Sequence, residues 1–178
     1  FDGKTFIPES GKYFYTKGSL YAGQTYTNIP NSDGRRIQIA WGRISHPSMP
    51  FNGMMLLPTE LTLHTTKEGI RLFSNPIKET KQLFTPLKKW ASLTSDKAND
   101  HLKEFRNAET LRIKTTFKLS HATSAGIDLF GQRILDYDMN ANTINSVFYS
   151  PEDRNSMELT ADIYIDKTSI EVFIDGGI

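Results

Sequence analysis

Short stretches of alternating polar and apolar residues, separated by turn residues, are the feature that most constrains the fold of this chain. Residues 35–41 (RRIQIAW) alternate in this way and follow the turn signal of residues 31–34 (NSDG). A period of two is the pattern of a β-strand with one buried face. Further strands are predicted in the first half of the chain at residues 13–15, 20–26, 61–64 and 70–73. The pattern therefore favours an all-β fold.

The strand pattern is interrupted after residue 74 and then resumes. Charged residues and Pro become more frequent between residue 75 and about residue 103, and residues 95–105 are predicted to hold one or two helical turns. Strands are predicted again at residues 111–119, 126–135, 145–149, 157–165 and 169–174. Several short strands with turn residues between them are typical of a small β-sandwich. We therefore predict two units, residues 1–74 and residues 75–178.

Composition excludes several classes of function. Lys plus Arg number 21 and Asp plus Glu number 20, so a net charge of +1 provides no field to attract nucleic acid or an anionic membrane. No apolar run approaches the roughly 20 residues that a membrane span needs. The absence of cysteine excludes a disulfide framework, a cysteine nucleophile and a thiolate metal site. Nucleic acid and membrane are not expected as partners.

Neither a metal site nor a cofactor is expected. Asp136, Asp138 and Asn140 have the opening spacing of a calcium loop, but Ala141 and Val147 stand where such a loop needs Gly and Glu. Asp136 and Asp138 would share one face of a strand, and we interpret them as a solvated face rather than a catalytic pair. The histidines lie too far apart for the spacing of a zinc site, at positions His46, His64, His101 and His121.

Several motifs occur in a recognisable order in the first half of the chain. Residues 21–26 (YAGQTY) precede residues 34–41 (GRRIQIAW), and residues 49–53 (MPFNG) precede residues 57–63 (LPTELTL). In order and spacing these motifs resemble glycoside hydrolase family 32, which contains levanases, inulinases and invertases. Residues 1–6 (FDGKTF) and 169–177 (SIEVFIDGG) are similar to further segments of the family.

The resemblance implies the last blade of a five-bladed β-propeller, at residues 1–74, followed by a β-sandwich, with both units truncated. The chain starts without Met and stops after a Gly-Gly turn, so we interpret it as a fragment that the missing N-terminal propeller blades of the same protein would complete. The family's sandwich would continue past Ile178. A missing final strand would leave an open sheet edge, which predicts marginal stability or pairing with another chain, as in a homodimer.

The resemblance also implies an activity, but not one that this chain performs alone. Retaining glycosidases use two carboxyl groups about 5 Å apart, one as nucleophile and one as acid/base. The family places its nucleophile in Asn-Asp-Pro, a stabilising aspartate in Arg-Asp-Pro and its acid/base glutamate before a cysteine. The sequence contains none of these motifs. No catalytic residue is therefore assigned, and the chain alone is not expected to hydrolyse fructosides.

Two aromatic residues are the candidate substrate contacts. Trp41 resembles the family tryptophan that faces the substrate, and Tyr21 is the second candidate; an aromatic ring offers a flat apolar surface to the C–H face of a sugar. Tyr21 could instead pack within the blade, as aromatic residues in propellers commonly do. Residues 15–20 (YTKGSL) lack the acidic residues that the family commonly has there, which indicates an altered subsite.

Three functions remain open at this point. In the first, the chain is part of a retaining β-fructofuranosidase whose ligand is a fructose-containing oligo- or polysaccharide. In the second, it is a structural sandwich that covers the propeller and mediates dimers. In the third, it is a non-catalytic carbohydrate-binding module. We rank them in that order. A secreted or periplasmic location follows from the resemblance, because polymeric fructans do not enter cells.

Overall fold

The computed structural model describes residues 2–8, 11–120, 122–149 and 157–178, and it shows an all-β protein. The predicted fold class is therefore confirmed. The strands are β1 (Leu20–Thr25), β2 (Ile37–Gly42), β3 (Met54–Met55), β4 (Thr59–Thr66), β5 (Gly69–Pro76), β6 (Leu111–Lys118), β7 (Ser124–Leu129), β8 (Gln132–Asp138), β9 (Thr143–Ile144), β10 (Val147–Phe148), β11 (Glu158–Ile165) and β12 (Ile170–Ile174).

The first five strands form one antiparallel sheet, which we call the blade. Its order is β1-β2-β4-β5, and β3 pairs with the end of β2. The β4–β5 hairpin closes tightly because the Thr66 hydroxyl donates to the Gly69 carbonyl at 2.9 Å and accepts from the Glu68 N–H at 3.1 Å. Gly69 has φ +103°, a backbone angle that favours glycine.

The segment between the blade and the sandwich packs on the outer face of the sandwich. It contains 3₁₀ helices at Lys78–Leu83 and Lys103–Phe105 and the helix α1 (Ser95–Leu102). The ring of Phe84 meets Tyr164 edge-on at 5.6 Å. Arg112 forms a bidentate pair with Asp162 at 2.9 and 2.7 Å and lies over the Tyr164 ring at 4.8 Å. No helix in the described residues is long and apolar enough to span a bilayer.

The remaining strands form a sandwich of two antiparallel sheets. One sheet has the order β12-β11-β6 and the other β10-β9-β8-β7. Strand alternation directs one side chain in two into the space between the sheets. The core between them includes Leu135 and Ile163, which are 0% exposed, and Leu159, which is 1% exposed. Burial of each such side chain stabilises the fold by roughly 1.5–3 kcal/mol.

Three strand predictions were wrong. Residues 13–15 form no strand; Tyr13 lies against the guanidinium of Arg71 at 3.6 Å instead. Residues 126–135 are not one strand but the hairpin of β7 and β8, whose turn places Phe130 and Gly131 at φ +52° and +74°. A second turn with two positive φ values interrupts residues 145–149. Phe-Gly and Asn-Ser are weaker turn signals than Asn-Gly. The division into residues 1–74 and 75–178 stays a prediction.

Candidate substrate-binding site

The two aromatic residues singled out from the sequence lie directly opposite each other in the blade. Strand pairing places Tyr21 of β1 opposite Trp41 of β2, and Met55 of β3 opposite Trp41 on its other side. Opposite residues of an antiparallel pair project from the same face, so the three side chains form a row across three strands. Tyr21 is 52% exposed, Trp41 40% and Met55 55%. The structure thus leaves both predicted residues accessible to a ligand.

A bulge in β1 sets the direction of Tyr21. Tyr21 pairs with Trp41 and Gln24 pairs with Ile39, so β1 has one residue more than β2 in this interval. Ala22 supplies the extra residue in a left-handed conformation with φ +49°. This angle costs an alanine roughly 1–2 kcal/mol relative to the right-handed region. Bulges are common beside functional sites, where they re-aim a side chain.

The rings of Tyr21 and Trp41 form an edge-to-face pair, which we call the aromatic platform. Their centroids are 6.1 Å apart and their planes meet at 66°. Such pairs contribute about 0.5–1.5 kcal/mol beyond the area that they bury. The guanidinium carbon of Arg43 lies 4.8 Å from the Tyr21 centroid, so the exposed cation stacks on the platform.

Gly53 packs closely against the indole of Trp41. Gly53 has φ +78°, and a Cβ added there would lie 1.9 Å from the indole nitrogen of Trp41. The Gly53 N–H donates to the Ile44 carbonyl at 2.8 Å, which holds the loop against β2. In the same loop the side chain of Asn52 accepts from the His46 N–H at 3.3 Å. A larger residue than glycine could not occupy this position without displacing the indole.

The platform is suited to binding and not to acid/base chemistry. The side chains of the platform and of Arg43 are an indole, a phenol and a guanidinium, and none of them is a carboxyl or an imidazole group. An apolar ring surface with hydrogen-bond donors at its edge is the usual composition of a site for a sugar ring. The arrangement can hold and orient a sugar, but its side chains contribute no carboxyl group to cleave a glycosidic bond.

The chain is similar to two levanases and to an inulinase of known structure. No protein-family model matches the chain. A levanase from Bacillus subtilis (strain 168) is 25% identical over 211 aligned positions, which cover 99% of this chain and 31% of the levanase. A levanase from Bacillus sp. (strain L7) is 36% identical over 72 residues, 38% of this chain and 8% of that protein. The chain therefore spans less than a third of each of these relatives.

The fold of the chain is also similar to that of a solved structure. The crystal structure of an exo-inulinase from Aspergillus awamori superposes with a TM-score of 0.68 at 18% identity, over 99% of this chain and 41% of the inulinase chain. These matches confirm the resemblance to glycoside hydrolase family 32. The likeness extends over both the blade and the sandwich, as expected for the C-terminal portion of a family 32 protein.

The blade and the sandwich meet across a cleft. The cleft has a volume of about 1450 Å³, and Ala40 and Leu72 of the blade and Val172 of the sandwich are among its lining residues. The Leu57 N–H donates to both carboxylate oxygens of Glu171, at 3.1 and 3.3 Å. Burial raises the pKa of Glu171, and the bond from Leu57 opposes the increase. Glu171 thus joins the sandwich to the blade.

The carboxylates discussed from the sequence have structural partners. Asp138 accepts from the N–H groups of Asn140 and Ala141 at 2.9 and 3.0 Å, which caps the turn after β8. Asp136 pairs with Arg133 at 3.3 Å. These contacts agree with the interpretation of both residues as part of an exposed strand face. Of the four histidines, His121 lies outside the described residues.

Sequence reasoning missed three residues of the site. Met55, which is more than half exposed, joins the row through its pairing with Trp41 at the end of β2. Arg43 lies two positions beyond Trp41, and alternation places both on one face of the sheet. That spacing is a signal that could have identified Arg43. The close approach of Gly53 to Trp41 depends on a loop whose path has no local sequence signal.

Proposed function

We propose that this chain is the C-terminal part of a retaining β-fructofuranosidase, a fructan hydrolase, and that Trp41 and Tyr21 contribute to the rim of its fructose pocket. The observation that supports this proposal most directly is the match of 99% of the chain to a levanase, together with the exposed aromatic platform. The platform offers an apolar surface to a sugar ring at the position where the resemblance expects the substrate.

The catalytic carboxylates are proposed to lie on propeller blades that this chain does not contain. The motifs that contribute them in family 32 are absent from the sequence. Leu63 and Ile70 of the blade are 72% and 55% exposed, and both line the cleft between the blade and the sandwich. The missing N-terminal blades are proposed as a partner of this chain because the resemblance to family 32 implies a five-bladed propeller, of which this chain contains only the last blade.

The sandwich is proposed to brace the blade. Its last strand reaches the blade through Glu171, and the Ser74 N–H donates to the Gly177 carbonyl at 2.7 Å. Lys17, which precedes β1, donates to the carbonyl of Asn145 in the β9–β10 turn. These bonds would hold the wall that presents the platform. A secreted or periplasmic location of the parent protein is part of the proposal, because its polymeric substrate stays outside the cell.

Fructose release is the direct test. The 178-residue chain and a chimera in which it replaces the matched third of the Bacillus subtilis levanase would be assayed on levan, inulin and sucrose. We expect release by the chimera and none by the chain alone, and we expect Trp41→Ala in the chimera to raise KM. Release by the isolated chain would refute the placement of the carboxylates on other blades. A chimera that folds but is unaffected by Trp41→Ala would refute the role of the platform.

A further inference from the structure

Arg43 differs from the other arginines whose contacts the structure describes in detail. Three of them are held by carboxylates: Arg35 by Asp33 and Glu79, Arg112 by Asp162, and Arg133 by Asp128 and Asp136. The exposed Arg43 instead has its guanidinium carbon over the ring of Tyr21, 4.8 Å from the centroid, and no described carboxylate bonds to it. Its N–H donors are therefore available to a ligand.

The sheet defines the backbone position of Arg43. The Arg43 N–H donates to the Ser19 carbonyl at 2.9 Å, which extends the pairing of β1 with β2 by one step beyond the ends of the strands. The backbone of Arg43 is thereby held in line with Trp41, two residues earlier on the same face. Tyr21 contacts both side chains: its ring forms the edge-to-face pair with Trp41, and the guanidinium of Arg43 lies over its face.

Stacking on an aromatic ring leaves the guanidinium edge free. The guanidinium is planar and has five N–H donors in a fixed fork, so a stacked arginine can still donate to two neighbouring oxygens. A fructose residue has neighbouring hydroxyl groups around its ring, and a sugar whose C–H face lies on the platform directs those hydroxyls toward the rim. Two parallel hydrogen bonds add geometric specificity to the apolar contact.

We propose that Arg43 donates hydrogen bonds to the hydroxyl groups of the sugar residue held against Trp41 and Tyr21. The inference rests on the proposed function, since it assigns a further contact to the same pocket rim. Residues 15–20, which precede Tyr21, offer no acidic group to accept from those hydroxyls. An arginine on the opposite strand would replace an acceptor by a donor, which gives the altered subsite a specific chemistry.

The experiment measures binding of short levan and inulin oligosaccharides to the 178-residue chain by calorimetry and by NMR titration. Arg43→Ala is expected to weaken binding about tenfold, the effect of losing one good charge-assisted hydrogen bond. Arg43→Met retains the stem that covers Tyr21 without any donor, so it should weaken binding as much as Arg43→Ala. Arg43→Lys should retain part of the affinity. Arg36→Ala, at an exposed arginine just before β2, is the matched control and should bind like the wild type.

The outcomes separate the inference from the function on which it rests. Binding by Arg43→Met at wild-type strength, with binding lost in Trp41→Ala, would overturn the role of Arg43 and leave the platform in place. A wild-type chain that binds neither oligosaccharide, or a Trp41→Ala variant that binds normally, would overturn the pocket-rim proposal and this inference with it. Unfolding curves of each variant check that the fold is retained.

Discussion

Gly53→Ala is expected to damage the aromatic platform because the added methyl group collides with Trp41. The Cβ would lie 1.9 Å from the indole nitrogen, so the ring must retreat by about 1.5 Å to reach ordinary contact distance. The backbone adds a second cost, because φ +78° is left-handed and disfavours alanine by roughly 1–2 kcal/mol. If the displaced indole loses about half of its buried area, the loss is roughly 2 kcal/mol more.

A matched glycine separates these two costs. Gly131 has φ +74°, and an added Cβ there meets nothing within 4 Å. Gly131→Ala should therefore lose only the backbone contribution of about 1–2 kcal/mol in urea unfolding, whereas Gly53→Ala should lose roughly 3–4 kcal/mol. In a Trp90→Phe background, which leaves Trp41 as the single tryptophan, only Gly53→Ala should shift the fluorescence and weaken oligosaccharide binding. Equal stability losses in the two variants, with unchanged Trp41 fluorescence, would refute this reasoning.

Three further predictions concern the core and the joint between the units. Ile163→Ala in the sandwich core, at a residue that is 0% exposed, should lower the free energy of unfolding by about 2–5 kcal/mol in urea titrations. Arg112→Ala should cost about 1.5–3 kcal/mol because Asp162 loses its bidentate partner, and a double-mutant cycle with Asp162→Asn should show that most of the loss belongs to the pair. Glu171 has a raised pKa in the folded state, so wild-type stability should fall relative to Glu171→Gln as the pH rises above the ordinary value of 4.5. If the difference in melting temperature between the wild type and Glu171→Gln does not grow between pH 4 and pH 7, this prediction is wrong.

The local pattern of the chain predicted much of the blade and less of the sandwich. Residues 35–41 alternate clearly, and β2 occupies Ile37–Gly42, with Ala40 buried on one face and Trp41 exposed on the other. The turns of the sandwich were harder to predict, because Phe130 adopts a left-handed angle that its residue type disfavours. There the tertiary packing of β7 on β8 outweighs local preference.

The candidate site shows the same division between local and non-local information. Trp41 and Tyr21 were selected through the family resemblance, and the strand register then placed them opposite each other. Gly53 and Met55 reach the platform through a loop and a two-residue strand, and their positions depend on contacts that only the folded chain defines. Propensity and alternation cannot locate such contacts.

The bulge at Ala22 has a consequence for how relatives of this chain are compared. With the extra residue, Tyr21 faces the same side as Trp41; a straightened β1 of the same length would turn it toward the cleft instead. Removal of Ala22 would leave Gly23 opposite Ala40 and Tyr21 still opposite Trp41. A one-residue gap at this point in an alignment is therefore compatible with an intact platform. Homologues of different length should be matched here by strand pairing, not by counting residues from the tryptophan.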